Sequence, residues 1–181
     1  MKLGSEKSVR PELYPSETDK QKVQAYTQGK YVTMAPASVW FTKQLPKEKW
    51  TELIQQQTED TIYLLGAPGD KVLCDELISS ANTSSKIVNL AGELTLLQSA
   101  ALMQKAQMNF VNDSGPLHLA SSMNAPTTAF FCSTVPSFGF GPLADNSIVK
   151  EVNGLDCRPC GLHGHKECPK GHFKCGFDIS L

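Results

Sequence analysis

An α/β fold, with a doubly wound and mostly parallel sheet, is the class this sequence predicts, and three observations predict it. Short apolar runs of strand type recur every ~20–30 residues along the chain. Between them lie segments whose apolar residues follow the i, i+3, i+4 spacing of helices packed on one face. The alternation is that of a parallel sheet covered on both sides, and right-handed crossovers turn it into a Rossmann-like layer. The third observation is local. At 112–118 an apolar strand runs into Asn-Asp-Ser-Gly-Pro-Leu-His, a polar turn that opens a helix.

The elements follow in order. Residues 1–30 are polar, stiffened by Pro11 and Pro15, and read as a linker or N-terminal arm. Ser16 and Asp19 imitate a capping box there, before a short helix carrying Val23 and Tyr26 that needs a surface to lean on. Residues 31–35 are strand-like, and Pro46 opens a helix with Trp50, Leu53 and Ile54 on one face. A strand at 61–65 ends at Gly66, and Leu73, Cys74, Leu77 and Ile78 line the next helix. Residues 87–90 form a third strand. Thr95 and Gln98 then make a capping box for a helix reaching about Ala106. Strand 108–111 leads into the polar turn, with Pro116 expected at the first helical position and the helix running through about Met123. Strands at 127–131 and 148–152 complete the layer. The expected division is therefore an arm at 1–30, the α/β layer at 31–153, and a Cys-rich loop of the same domain at 154–181.

Composition narrows the function. A length of 181 residues suits one domain, and 40% hydrophobic with 19% charged residues is ordinary for a globular protein. A net charge of −1 gives no global field to recruit nucleic acid, so any phosphate site must be local. No apolar run is long enough for a membrane span, and the N-terminus lacks the apolar core of a signal peptide. The expected compartment is the cytoplasm.

In such sheets ligands bind beyond the carboxyl ends of the strands, so the chemistry belongs to those loops. A strand that stops at a polar turn before a helix aims unpaired N–H groups and the positive end of the helix dipole outward, which suits an anion. Within the turn, Asp113 is an acceptor for its own helix N–H groups or for a ligand hydroxyl, and Gly115 permits close backbone approach. His118, one turn in, is either a packing residue or a ligand contact. The loop after the first strand offers Ser38 as a donor and Lys43 as a point charge for phosphate, with Trp40 and Phe41 beside them. It has neither the glycines of a P-loop nor a Gly-x-Gly-x-x-Gly pattern. The last segment carries Cys157, Cys160, Cys168 and Cys175 with three histidines nearby. A structural zinc site, reduced thiols packing a loop, and two disulfides all fit that spacing.

Taken together, the Ser38…Lys43…Pro46 loop, the Asn112 to Ala120 turn and the Cys-Arg-Pro-Cys…Cys-Pro-x-Gly-His-x-x-Cys tail resemble glycosyltransferase family 9. These are the ADP-heptose:lipopolysaccharide heptosyltransferases, and the likeness over 31–175 is to the C-terminal half of the two-domain GT-B type. The resemblance implies a domain that binds a nucleotide diphosphate sugar such as ADP-heptose and transfers the sugar, with inversion, to a lipopolysaccharide-type acceptor. Ser38 and Lys43 would grip the diphosphate. Asp113, Ser114, Gly115 and His118 would meet phosphate and sugar, with Lys43 and Ser114 stabilising the leaving group. Where the family places an acidic ribose ligand after the second strand, Pro68 stands near that place and Asp70 is the substitute. The general base and the acceptor site belong to the family's N-terminal domain. The segment 178–181 reads as the start of another helix, so the chain is expected to be an excised, inactive half. No cofactor is expected for the chemistry, and the inner face of the cytoplasmic membrane is where such an acceptor would be met. A nucleotide-sugar epimerase-like enzyme and a zinc-stabilised binding module are the alternatives.

Overall fold

The computed structural model describes residues 10–181. Six strands form in chain order: β1 (Tyr31–Ala35), β2 (Thr61–Leu64), β3 (Lys86–Asn89), β4 (Asn109–Asn112), β5 (Thr127–Phe131) and β6 (Ser147–Glu151). They lie in the order β3-β2-β1-β4-β5-β6, and every neighbouring pair is parallel. The register sets Met34 opposite Leu64 and Ala35 opposite Val111. The loops leaving β1, β2 and β4 therefore emerge level, along one edge.

Parallel neighbours need crossovers, and these supply the covering layers. Along β1 the side chains alternate between two cores. Tyr31 and Ala35 face a core shared with Val23 of α1 (Glu17–Val23), Ala100 and Met103 of α4 (Leu96–Gln104), and Leu117 of α5 (Gly115–Ser122). Val32 and Met34 face the other, shared with Trp50 and Ile54 of α2 (Lys47–Gln55), Leu77 of α3 (Lys71–Ser80) and Cys175 of α6 (Lys174–Phe177). The i, i+3, i+4 set of α2 thus becomes buried as its spacing requires. Trp50 meets the Phe130 ring edge-on at 5.4 Å, and truncating so large a buried side chain costs about 3–5 kcal/mol.

Caps start the helices where the sequence places them. Thr95 and Gln98 bond reciprocally ahead of α4, and Ser16 and Asp19 do the same ahead of α1. The helix α1 packs on α4, with Val23 buried and Tyr26 edge-on to Tyr63 at 5.5 Å. From residue 10 onward the expected arm therefore rests on the core, while residues 1–9 lie outside the described part of the chain.

The bounds of β2, β3 and β6 each shift by one residue from expectation, and three further differences bear on the site and the tail. β4 ends at Asn112, so this residue belongs to the strand rather than the turn. α5 begins at Gly115, which moves Pro116 to the second position; its missing N–H is equally harmless there. Residues 178–181 do not begin a helix: α6 stops at Phe177, Asp178 caps it, and Ile179 is buried in the second core. Among the described residues no helix is long and apolar enough to cross a membrane.

Candidate functional site

The strand order reverses direction between β1 and β4, the place where open α/β sheets bind ligands. A cavity of about 680 Å³ opens there. Four loops build it: Ala37 and Ser38 after β1, Gly66 to Pro68 and Asp70 after β2, Gly92 and Leu94 after β3, and Ser114 to Pro116 after β4. Leu96, Ser99 and Met103 of α4 close one side. Apolar walls with a few hydroxyls and one carboxylate suit a small amphipathic ligand. One wall depends on glycine. At Gly92, φ is +81°, and a Cβ would sit 2.9 Å from the Pro68 Cα.

Asn112 joins the two central loops. Its side chain is wholly buried, and Oδ1 accepts the Leu45 N–H at 2.9 Å while Nδ2 donates to the Pro36 carbonyl at 2.8 Å. Both ends of the β1 loop are thereby fixed to the end of β4. Ser38 lies between those ends and lines the cavity, with its carbonyl accepting the Gln44 side-chain amide at 2.6 Å. Asp70 also lines the cavity, and its Oδ2 accepts the Ala67 N–H at 2.7 Å.

The helix start at α5 carries no side-chain cap. Ser114 is its extended N-cap residue without a capping hydrogen bond, Pro116 has no N–H, and the Leu117 N–H folds back onto the Ser114 carbonyl at 3.0 Å. An uncapped helix N-terminus in a cavity wall offers donors and positive potential to an anion.

Asp113 is not the cap of this helix. Its Oδ2 accepts from Lys43 Nζ at 2.8 Å and from Thr134 Oγ1 at 2.6 Å. The Asp113 side chain is 7% exposed and that of Lys43 16%, so the pair is shielded from water. The cation from the β1 loop and the carboxylate from the β4 turn are thus brought together directly before Ser114. Neither lines the cavity, and neither does His118. His118 is exposed on α5, its ring 6.2 Å from that of Phe140.

The tail is anchored by Arg158. Its guanidinium donates to the carbonyls of Cys132 at 2.7 Å, Val152 at 3.0 Å, Phe131 at 3.1 Å and Thr134 at 2.7 Å, and pairs with Glu151 at 2.6 Å. All six cysteines are free thiols. Burial pushes Cys175 up to about 11, Cys74 up to about 12 and Cys132 further still, so these thiols stay protonated at neutral pH. Among the described residues no group of three or more His, Cys, Asp or Glu side chains is set to hold a metal ion.

Three residues that matter here escape a sequence reading of roles. Asn112 stood in the motif without an assigned job, although a buried strand-end amide must find partners. Arg158 stands between two cysteines, and nothing local says that its guanidinium reaches four carbonyls. Thr134 carried no signal, since nothing local says that its hydroxyl meets Asp113.

Residues 2–172 match the family described as Glycosyltransferase family 9 (heptosyltransferase). The chain belongs to glycosyltransferase family 9. Lipopolysaccharide heptosyltransferase 2 of Escherichia coli (strain K12) is 30% identical over 150 residues, covering 81% of this chain and 39% of that protein. Among solved structures, E. coli ADP-heptose lps heptosyltransferase II aligns with a TM-score of 0.69 at 25% identity, over 83% of this chain and 50% of the other. E. coli heptosyltransferase WaaC with ADP shares the fold at a TM-score of 0.54 and 22% identity, over 67% of this chain and 37% of the other. The chain thus spans 39% of that curated relative and half of the first of those structures. The family 9 fold is the expected one, with its doubly wound parallel sheet.

Proposed function

We propose that this chain binds the donor of an inverting glycosyltransferase, an ADP-heptose-like nucleotide sugar whose heptose goes to a lipopolysaccharide-type acceptor. The single observation that supports it best is the cavity at the strand switch, walled by the uncapped start of α5, with the Lys43–Asp113 pair one residue away. The nucleoside lies among Pro68, Leu94, Leu96 and Met103, and Asp70 faces the ribose hydroxyls. The diphosphate sits against Ser38 and the N–H groups beginning at Ser114, within reach of the Lys43 ammonium. The heptosyltransferase relative, and the ADP-heptose for which the E. coli heptosyltransferase II structure is named, support that choice of donor.

The chemistry follows from where charge develops. The acceptor hydroxyl attacks the anomeric carbon on the face opposite the nucleoside diphosphate, the C–O bond to phosphate breaks, and the proton leaves to a base outside this chain's assigned residues. Negative charge gathers on the departing phosphate. Fixed donors aimed at that point lower the barrier because they need no reorganisation. Lys43 and the α5 N-terminus are those donors. Asp113 is committed to Lys43 and Thr134, so it holds the lysine and does not serve as base. His118, exposed on α5 outside the cavity wall, is the residue that a sugar projecting from the cavity would meet.

Calorimetric titration of the chain with ADP, UDP and adenosine tests the proposal. ADP should bind and raise the melting temperature, UDP should bind more weakly, and Lys43→Ala should lower ADP affinity about tenfold, a change of about 1.4 kcal/mol. A folded sample that no nucleoside diphosphate binds or stabilises would overturn it. A preference for UDP would favour an epimerase-like enzyme instead.

A further inference from the structure

Lys43 ends a single 3-10 turn, Phe41–Lys43, and one turn of that kind is weak support for a long side chain. The Cys-rich tail supplies the rest, from 123 residues along the chain. The Thr42 N–H donates to the His165 carbonyl at 3.1 Å, and the His165 N–H donates to Thr42 Oγ1 at 2.7 Å. The Ser133 N–H donates to the Thr42 carbonyl at 3.1 Å, and the Cys160 N–H to the Ser133 carbonyl at 2.9 Å. Tail, β5 end and lysine turn are therefore laced together.

Gly164 lies inside this lacing. Its φ is +78°, and a Cβ there would come within 2.9 Å of Lys43 Cγ and 3.2 Å of Trp40 Cβ. The glycine thus permits the tail to press against the lysine stem itself. Farther along, the Phe173 ring meets that of Phe41 at 5.1 Å. His163 and His165 are exposed, and neither apolar core includes residues 163–165. Removing this segment from its place costs the cores nothing directly; what it touches is the turn that carries the cation.

We infer that residues 163–165 are a positioning element for Lys43. Gly164 sets the path of the lysine stem, and the Thr42–His165 hydrogen bonds fix the turn, so that the ammonium is held on Asp113 beside the phosphate end of the site. The inference rests on the proposal that Lys43 faces the diphosphate. Its consequence is specific: disturbing the tail here weakens phosphate recognition and spares nucleoside recognition, because no tail residue lines the cavity.

Titration with ADP and with adenosine, on the full 181-residue chain, tests this. Gly164→Ala should lower ADP affinity about tenfold while adenosine affinity changes less than about twofold, the coupling expected of residues in contact. Thr42→Val, which keeps shape and loses the hydroxyl, should act the same way, and Thr42→Ser should restore ADP binding. In a Lys43→Ala background, Gly164→Ala should change ADP affinity no further. Wild-type ADP affinity in both Gly164→Ala and Thr42→Val, with Lys43→Ala still weakened, would overturn the inference and leave the diphosphate proposal standing. An equal loss of ADP and adenosine would also overturn it, as the mark of a purely structural segment. Wild-type ADP affinity in Lys43→Ala would instead remove the proposal on which it rests.

Discussion

Replacing Lys43 with methionine keeps most of the side-chain volume and removes the charge that answers Asp113. The two groups are 2.8 Å apart, so at an effective dielectric constant of about 20 their attraction is roughly 6 kcal/mol before desolvation is counted. Breaking a shielded pair by removing one partner costs about 3–5 kcal/mol, since the remaining charge is left uncompensated. The Thr134 hydroxyl still donates to that carboxylate, and Lys43 already touches water, so the lower end applies: about 3 kcal/mol. For a chain of roughly 150–250 residues this is a fall in melting temperature of roughly 6–12 °C. Adding Asp113→Leu should recover at least half of the loss, because the orphaned carboxylate goes with it. Thermal and urea unfolding of the two single variants and the double variant measure this. Lys43→Met as stable as wild type, or a double variant whose losses simply add, would refute the ion pair as a stabilising link between the β1 loop and the β4 turn, beside that made by Asn112.

Asn112→Leu should destabilise by about 2–4 kcal/mol in urea unfolding, since it strands the buried Leu45 N–H and Pro36 carbonyl, and it should weaken ADP binding as well. Ser99→Trp should fill the cavity from half-buried α4, abolishing nucleotide binding by calorimetry with little change in melting temperature. Alkaline pH should unfold the protein early. Burial lifts the folded pKa of Cys175 from 9.0 to about 11 and that of Cys74 to about 12, so above pH 9 the unfolded chain releases protons that the folded one keeps. Stability should be flat below the unfolded pKa and then fall by about 1.4 kcal/mol per pH unit for each such thiol, up to the folded pKa. Urea midpoints that do not move between pH 8 and 11 would contradict that assignment.

The layer was legible because its signals are local. Period-two and period-3.6 patterns reflect burial on one face or two, and capping boxes such as Thr95 with Gln98 are written within four residues. What the sequence left ambiguous is what depends on distant meetings. Asp113 looks like a cap when only its neighbours are known; its actual partners, Lys43 and Thr134, arrive from two other strand ends. The thiols are the visible signal in the tail, whereas Arg158, Cys160, Gly164 and His165 make its contacts with the β5 end and the lysine turn. Ser38, Asp70, Ser114 and Gly115 do line one cavity, but Lys43, Asp113 and His118 stand outside its wall, a division that spacing along the chain does not express.

A crystal structure of the chain with ADP bears most directly on the proposed function. The base and ribose should occupy the cavity between Pro68 and Leu96, with the diphosphate within hydrogen-bond reach of the Ser114 or Gly115 N–H and of Lys43 Nζ. Electron density placing the diphosphate away from α5, or a Lys43 ammonium that stays on Asp113 without reaching a phosphate oxygen, would contradict it.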